Sequence, residues 1–280
     1  MSIPFKYKPV ETKFIHSLWT DHQIKIKPNL KQQTGGSIEK IKYQDDGQTY
    51  TLNLSIDKEP YHYYITVLTP DKSECITVII YKNEKNAIIH NMSYYKECAV
   101  EGLKYPGGGN ILLKFILNYL IKNKQKYNIN RILLTDNSYL YCDNCSNNVK
   151  LAQLKMITSG RTWYMRYGFL PYDSLKNTPS KSLYKAIDHN KKIIDKLKTK
   201  QIHLELIFKN IHKQEHIKID IKEINRLKNK YPLLRDFIKR LVSEYKKYCC
   251  FLSYLLEHLF DPLNKYNLID FYRKQFYFDI

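Results

Sequence analysis

Glycine, arginine and alanine are scarce in this chain. It has 9 glycines in 280 residues, and only seven of its 46 basic residues are arginine. No uncharged apolar run reaches the roughly 18 residues that a membrane-spanning helix needs. The opening MSIPFKYKPVETK also lacks an apolar stretch followed by a small-residue cleavage site. The expectation is a soluble protein that neither spans a membrane nor enters the secretory route. Six cysteines, two of them adjacent at Cys249 and Cys250, do not suggest the disulfide framework of a small secreted domain. They point to a reducing, cytoplasmic compartment. What the chain does contain is the composition of a folded globule, with 43% hydrophobic and 26% charged residues, which excludes disordered, collagenous and coiled-coil chains. Its length suffices for one large domain or a medium domain with an appendage.

The formal charge is +19. A surface this basic attracts polyanions of any sequence, which admits nucleic-acid, membrane-surface and phosphate-ligand readings. Two observations weigh against a nucleic-acid reader. Arginine, the residue of bidentate base contacts, is rare. The abundance of Lys, Ile, Asn and Tyr is also what codon bias in an AT-rich genome gives. The charge is uneven, since residues 191–280 hold 20 basic and 11 acidic residues. That is nearly twice the charge density of the first 190, so this part is the candidate for gripping nucleic acid.

Residues 38–95 read as successive strands separated by turns: IEKIKYQ, QTYTLNLSI, HYYITVL, ECITVIIY and NAIIHNMSYY. This predicts an antiparallel meander. From Asn110 the period becomes helical, and ILLKFILNYLIKNK is apolar on most sides, with a narrow polar stripe at Lys114, Asn118 and Lys122. RILLT at 131–135 reads as a strand covered on both faces. Strand, glycine loop, buried helix and strand make a βαβ crossover, which joins parallel neighbours. The predicted fold class is therefore mixed α/β, with a sheet that starts antiparallel and ends parallel. Residues 148–166 read as helix interrupted near Gly160, GFLPY as a returning strand, and Pro179-Ser180 as a helix entry. Between 202 and 221 the pattern is ambiguous, because IHLELIF and HIKIDI alternate like strands. Pro232 opens a long helix that Asp261-Pro262 breaks. The expected organisation is a domain over 1–190, with 1–37 as an N-terminal extension, and a mainly helical, basic part over 191–280.

Three of the nine glycines stand together in KYPGGGN, directly before the buried helix. Glycine lets the backbone turn tightly and approach a ligand, and the first free N–H groups of a helix make a partly positive anion site. A plain strand-to-helix turn needs one glycine, so three favour a phosphate cradle. The pattern GxxxxGK[ST] is absent, and GxGxxG is not completed, because Gly107 and Gly109 are followed by Asn110, Ile111 and Leu112.

These residues resemble the GNAT superfamily of N-acetyltransferases, whose acetyl-coenzyme A loop reads Arg or Gln, two residues, Gly, one residue, then Gly or Ala. Lys104, Gly107 and Gly109 match that spacing, with Lys in the first place. A second family motif, Tyr-x-x-x-Gly-Phe, is matched by Tyr164, Gly168 and Phe169. The two motifs flank the βαβ unit, and the resemblance covers residues 85–172. SGRTWYMRYGF, LLTDNS and KECAVEG are similar to a divergent branch found in large DNA viruses, which would put the protein in host cytoplasm or in a virion. The resemblance implies a splayed mixed sheet whose parting strands admit the pantetheine arm. It implies that acetyl-coenzyme A is held through its pyrophosphate by the loop Lys104, Tyr105, Pro106, Gly107, Gly108, Gly109 and Asn110. It also implies direct acetyl transfer to an amine acceptor, a small molecule or a protein amine.

That reaction has physical needs of its own. An alkylamine with a pKa near 10.4 must lose its proton, the carbonyl oxygen needs a donor, and a departing thiolate with a pKa near 8.5 benefits from an acid. Tyr164 occupies the position at which many family members place that acid; as one of 25 tyrosines it reads equally well as a packing residue. Trp163 beside it reads as core. For the base, Glu97 is the first choice and His90 the second. Asp136 and Asn137 follow the carboxyl end of a parallel strand, where open α/β sheets meet their ligands, and so either line the site or cap a turn.

Two departures from the family stand out. The helical pair that usually follows the first strand is not visible between 38 and 85, so the acceptor wall is missing or moved, and the tail beyond 190 has no counterpart in the minimal fold. The rival expectation is a binding or structural protein on the same fold with catalysis lost, nucleic-acid- or virion-associated through its basic surface. Cys142-x-x-Cys145 is half of a zinc site, but adjacent Cys249 and Cys250 make a poor second half. Incidental thiols, and no metal, are expected there.

Overall fold

The structure, a computed structural model, describes residues 38–93, 96–103, 107–142, 144–145, 147–213 and 220–280. The chain divides into two compact units, residues 1–134 with 278–280 and residues 135–277. The boundary expected between 190 and 191 falls inside a helix, Lys181–Ile194, and the expected extension 1–37 lies outside the described residues.

In the first unit, β1 (Ile38–Asp45), β2 (Gln48–Lys58), β3 (His62–Leu68), β4 (Glu74–Tyr81) and β5 (Asn86–Met92) form an antiparallel meander in which each strand pairs with the next. Asp46 and Gly47 turn β1 into β2 with φ of 48° and 74°, the double positive φ of a two-residue hairpin turn. Alternation places Ile41 opposite Leu52 and Tyr43 opposite Tyr50, all buried. Helix α1 (Gly108–Lys122) then crosses to β6 (Arg131–Thr135), which runs parallel to β5, with Ala87 opposite Ile132 and Ile89 opposite Leu134. The sheet is thus mixed, as the change of period predicts. Leu112, Leu113, Phe115, Ile116, Leu117 and Leu120 of α1 are all fully buried. Its polar stripe is partly enclosed too: Lys114 Nζ bonds both Asp45 oxygens at 2.8 and 3.0 Å, and Asn118 is buried. The last residues of the chain return to this unit, where the Ile280 N–H donates to the Asn130 carbonyl at 2.9 Å and Arg131 Nε to Asp279 at 2.7 Å. Residues 38–85 contain no helix.

The second unit opens on a hairpin, β7 (Tyr139–Cys142) with β8 (Asn147–Lys150), followed by helix α2 (Leu151–Ser159). Strand β9 (Leu170–Asp173) pairs with β10 (Thr178–Pro179) and with Gln275–Tyr277 of β11 (Gln275–Asp279). Between them lie α3 (Lys181–Ile194), α4 (Leu204–His212), α5 (Ile221–Lys230), α6 (Leu234–Ser243) and α7 (Tyr245–Asn264). α2 ends on Gly160 at φ 71°, where a Cβ would fall 2.6 Å from the Lys191 Cα of α3. Both the left-handed conformation and the backbone approach require glycine. Among the described residues no helix is long and apolar enough to cross a membrane.

Several expectations for this unit are corrected. Residues 148–150 are strand, because they complete the hairpin with Tyr139–Tyr141. IHLELIF is mostly helix α4, while HIKIDI lies largely outside the described residues. The helix opened by Pro232 is two helices divided at Glu244, and α7 runs through Pro262 to Asn264. Proline forfeits one hydrogen bond there, but Leu259, Phe260 and Leu263 are buried on either side of it and hold the turn by packing. The tail also ends in a strand. All six cysteines are paired, Cys75–Cys98, Cys142–Cys249 and Cys145–Cys250. The expected incidental thiols are absent because the β7–β8 hairpin packs on α7, which a spacing rule for adjacent cysteines does not see.

Candidate functional site

In the first unit the described part of the glycine loop begins at Gly107; Lys104, Tyr105 and Pro106 lie outside the described residues. Gly107 has a φ of 131° and is the N-cap of α1, a conformation that L side chains rarely adopt. Its carbonyl accepts the Asn110 N–H at 2.9 Å and the Ile111 N–H at 3.4 Å. The first-turn amides that helix geometry leaves without an intrahelical acceptor are therefore those of Gly108 and Gly109. A Cβ added at Gly109 would meet nothing within 4 Å, and one at Gly107 would meet Asn110 Nδ2 at 3.9 Å. Crowding does not explain these glycines. Gly108 is buried and Gly109 half-buried, and main-chain donors of a helix's first turn are the kind that bind a phosphate group.

The two candidate bases also belong to this unit. His90 lies on β5 and Glu97 in the single turn Lys96–Cys98, and both are exposed. Glu101 has a structural task, accepting the Thr51 N–H at 2.8 Å and the Thr51 hydroxyl at 2.6 Å.

In the second unit, Asp136 is fully buried. Its N–H donates to the Lys274 carbonyl at 3.0 Å and its carbonyl accepts the Arg273 N–H at 2.9 Å, so the segment leading into β11 fixes it. Oδ1 accepts the N–H of Ser138 at 3.2 Å and the Ser138 hydroxyl, the turn-capping role. Oδ2 is buried with no hydrogen-bond partner. Burial raises this carboxyl to about 6 against the pull of the Ser138 hydrogen bonds, and the charge of Asp270 adds to the rise. Tyr164 opens the single turn Tyr164–Tyr167 and is 6% exposed. Its phenol is pushed up first by burial and then by the charge of Asp136, so the two groups are electrostatic neighbours. Trp163 is half-buried and meets Tyr164 edge-on at 4.8 Å and Tyr167 at 5.2 Å. Tyr164 is thus packed and also coupled to a carboxyl group.

Asn137 lines a cleft of about 590 Å³ in the same unit, with Lys150, Gln153, Glu257, Tyr272 and Arg273 on its walls. Lys150 Nζ and the Arg273 guanidinium stand 5.1 and 5.4 Å from the Tyr272 ring centroid, a cationic edge held on an aromatic face. Gln153 Nε2 donates to Asp270 at 2.7 Å, while its Oε1 is buried without a partner. Such a lining suits a polar ligand, at the carboxyl end of a strand where open sheets bind theirs.

The structure therefore brings Tyr164 together with Asp136 in the second unit, which also holds Asn137, and keeps Gly107, Gly108, Gly109, Asn110, His90 and Glu97 in the first. Asp136 fills the turn-capping alternative of the sequence reading through Ser138, while the burial of its Oδ2 has no signal in the sequence. Gln153, Glu257 and Arg273 come from three distant segments and carry no local signal. With every cysteine paired in a disulfide, no group of three or more His, Cys, Asp or Glu among the described residues is placed to hold a metal ion. Comparison with models of known protein families, with curated proteins and with solved structures gives no match to this chain.

Proposed function

We propose that the chain is an acetyl-coenzyme A-dependent N-acetyltransferase that moves acetyl directly to an amine. The observation that carries this reading is the parallel β5–loop–α1–β6 crossover, with Gly107 at positive φ and the first-turn amides of Gly108 and Gly109 left without an intrahelical acceptor. Bound there, acetyl-coenzyme A supplies an activated thioester. The Gly108 and Gly109 amides hold its pyrophosphate. Tyr164, in the acid role that the resemblance gives its position, keeps its proton at neutral pH, because burial pushes its phenol up, and can offer a hydrogen bond. Since a thiol near 8.5 is the stronger acid, that role is donation to a leaving thiolate rather than outright proton transfer. Within the second unit Asp136, with its free Oδ2 and a carboxyl near 6, has the protonation range of a proton acceptor.

Calorimetry with acetyl-coenzyme A on the full chain and on Gly109→Glu tests it. A Cβ at this position meets nothing within 4 Å, so the substitution starts without a backbone clash while its carboxylate opposes the pyrophosphate. Binding is expected to weaken at least about tenfold, or ~1.4 kcal/mol; unchanged affinity removes the cofactor assignment. For Tyr164→Phe, kcat is expected to fall by about 10²-fold or more with cofactor affinity retained, and an unchanged kcat places the donor elsewhere. Steeply salt-dependent nucleic-acid binding by a chain that binds no acetyl-coenzyme A would establish the rival, non-catalytic reading.

A further inference from the structure

We propose that Cys142, Cys145, Cys249 and Cys250 form a four-thiolate zinc site when the chain is reduced. The inference does not depend on the acetyltransferase reading. Cys142 ends β7, its carbonyl accepts the Cys145 N–H at 3.2 Å, and it pairs with Asn147 across the hairpin. A hydrogen bond of that i to i+3 kind keeps the Cys142 and Cys145 Cα atoms under about 7 Å apart. Cys249 and Cys250 are consecutive residues of α7, with Cα atoms about 3.8 Å apart. Across the two pairs the Cα–Cα distances are 5.7 and 5.8 Å. Four sulfurs thus stand on a quadrilateral of Cα atoms, each reaching across it. A tetrahedral zinc ion with Zn–S bonds of about 2.3 Å suits that span. Adjacent cysteines serve one ion here because the hairpin sets a sulfur opposite each of them.

The double linkage is itself informative. Once Cys142–Cys249 has closed a separation of 107 residues, Cys145–Cys250 closes only a short ring and removes less chain entropy. One bond suffices to join hairpin and helix, while four sulfurs at one place match the ligand number of structural zinc. Cys142 and Cys249 are buried, whereas Cys145 and Cys250 are half-buried, so an ion would be shielded on one side and reachable on the other. The Tyr245 hydroxyl lies 3.5 Å from Cys142 Sγ, in position to donate to a thiolate from the outer shell. A tetrathiolate zinc centre carries two negative charges. Lys246 precedes Cys249 and Cys250 by three and four residues on α7 and so shares their side of the helix.

With both bonds closed no sulfur is a free donor. Opening them takes four electrons, supplied by two equivalents of a dithiol that leave as two disulfides. The four thiols then release four protons as the four Zn–S bonds form. The test is metal analysis of the full chain after anaerobic reduction, zinc loading and desalting, with cobalt(II) substitution to read thiolate-to-metal charge-transfer bands. One equivalent of zinc and a tetrahedral thiolate cobalt spectrum are expected for the unmodified chain and for Cys75→Ser plus Cys98→Ser. Cys145→Ser plus Cys250→Ser is expected to show neither. Metal content in the reduced chain no higher than in a chain alkylated on all cysteines overturns the proposal, as does equal zinc in both double variants or loss from both.

Discussion

In the first unit every strand pairs with the strand that follows it, over connections of a few residues in the meander. In the second, the contacts that define the fold join distant segments: β9 pairs with Gln275–Tyr277, and two disulfides close separations of 107 and 105 residues. The difference is one of closure entropy. Neighbouring strands fix few residues before they gain a ladder, whereas distant segments must be restrained before they gain anything. The first unit can rest on alternation and turns, and the second relies on covalent ties and helix packing.

The sharpest way to break this comparison is to remove the ties. In a chelator, reduction is expected to cost the second unit about 4–5 kcal/mol and the first, with Cys75–Cys98 spanning 23 residues, about 3 kcal/mol. Hydrogen exchange should then rise further in α7 than in β4; equal losses would show that the cross-links do not distinguish the units. The next effect tests packing in the first unit. Phe115 is fully buried with its ring 5.6 Å from that of Tyr43, edge-on. Phe115→Ala is expected to lower stability by about 3–5 kcal/mol in urea denaturation, with exchange protection lost from the meander.

The smallest effect concerns charge in the second unit. Asp136 titrates near 6 in the folded chain and near 3.9 unfolded. Between those values the native state holds the extra proton, so the contribution is complete below about pH 4 and is lost as pH rises through 6. The fall is on the order of 2–3 kcal/mol. Melting temperature followed from pH 4 to 7 should show it, and Asp136→Asn should flatten it. A variant that keeps the slope would assign the proton to another group.

How much of this was legible follows from the same contrast. ECITVIIY and ILLKFILNYLIKNK declare a strand and an enclosed helix through their own periodicity, and Asp46-Gly47 declares its turn. The four-residue strands β7 and β8 are too short to show a period, and QFYFD is a strand because Leu170–Tyr172 lies beside it. The site divides likewise. The three glycines could be read from the chain directly, while the raised carboxyl of Asp136 comes from burial that no neighbour in sequence announces.

Gly160 carries a last consequence. With only 2.6 Å between its missing Cβ and the Lys191 backbone, the corner that launches Trp163, Tyr164 and Tyr167 takes its position from a helix some thirty positions downstream. Any drift in how α3 lies on α2 would re-aim that aromatic cluster, so these two stretches of chain are bound to change together or not at all.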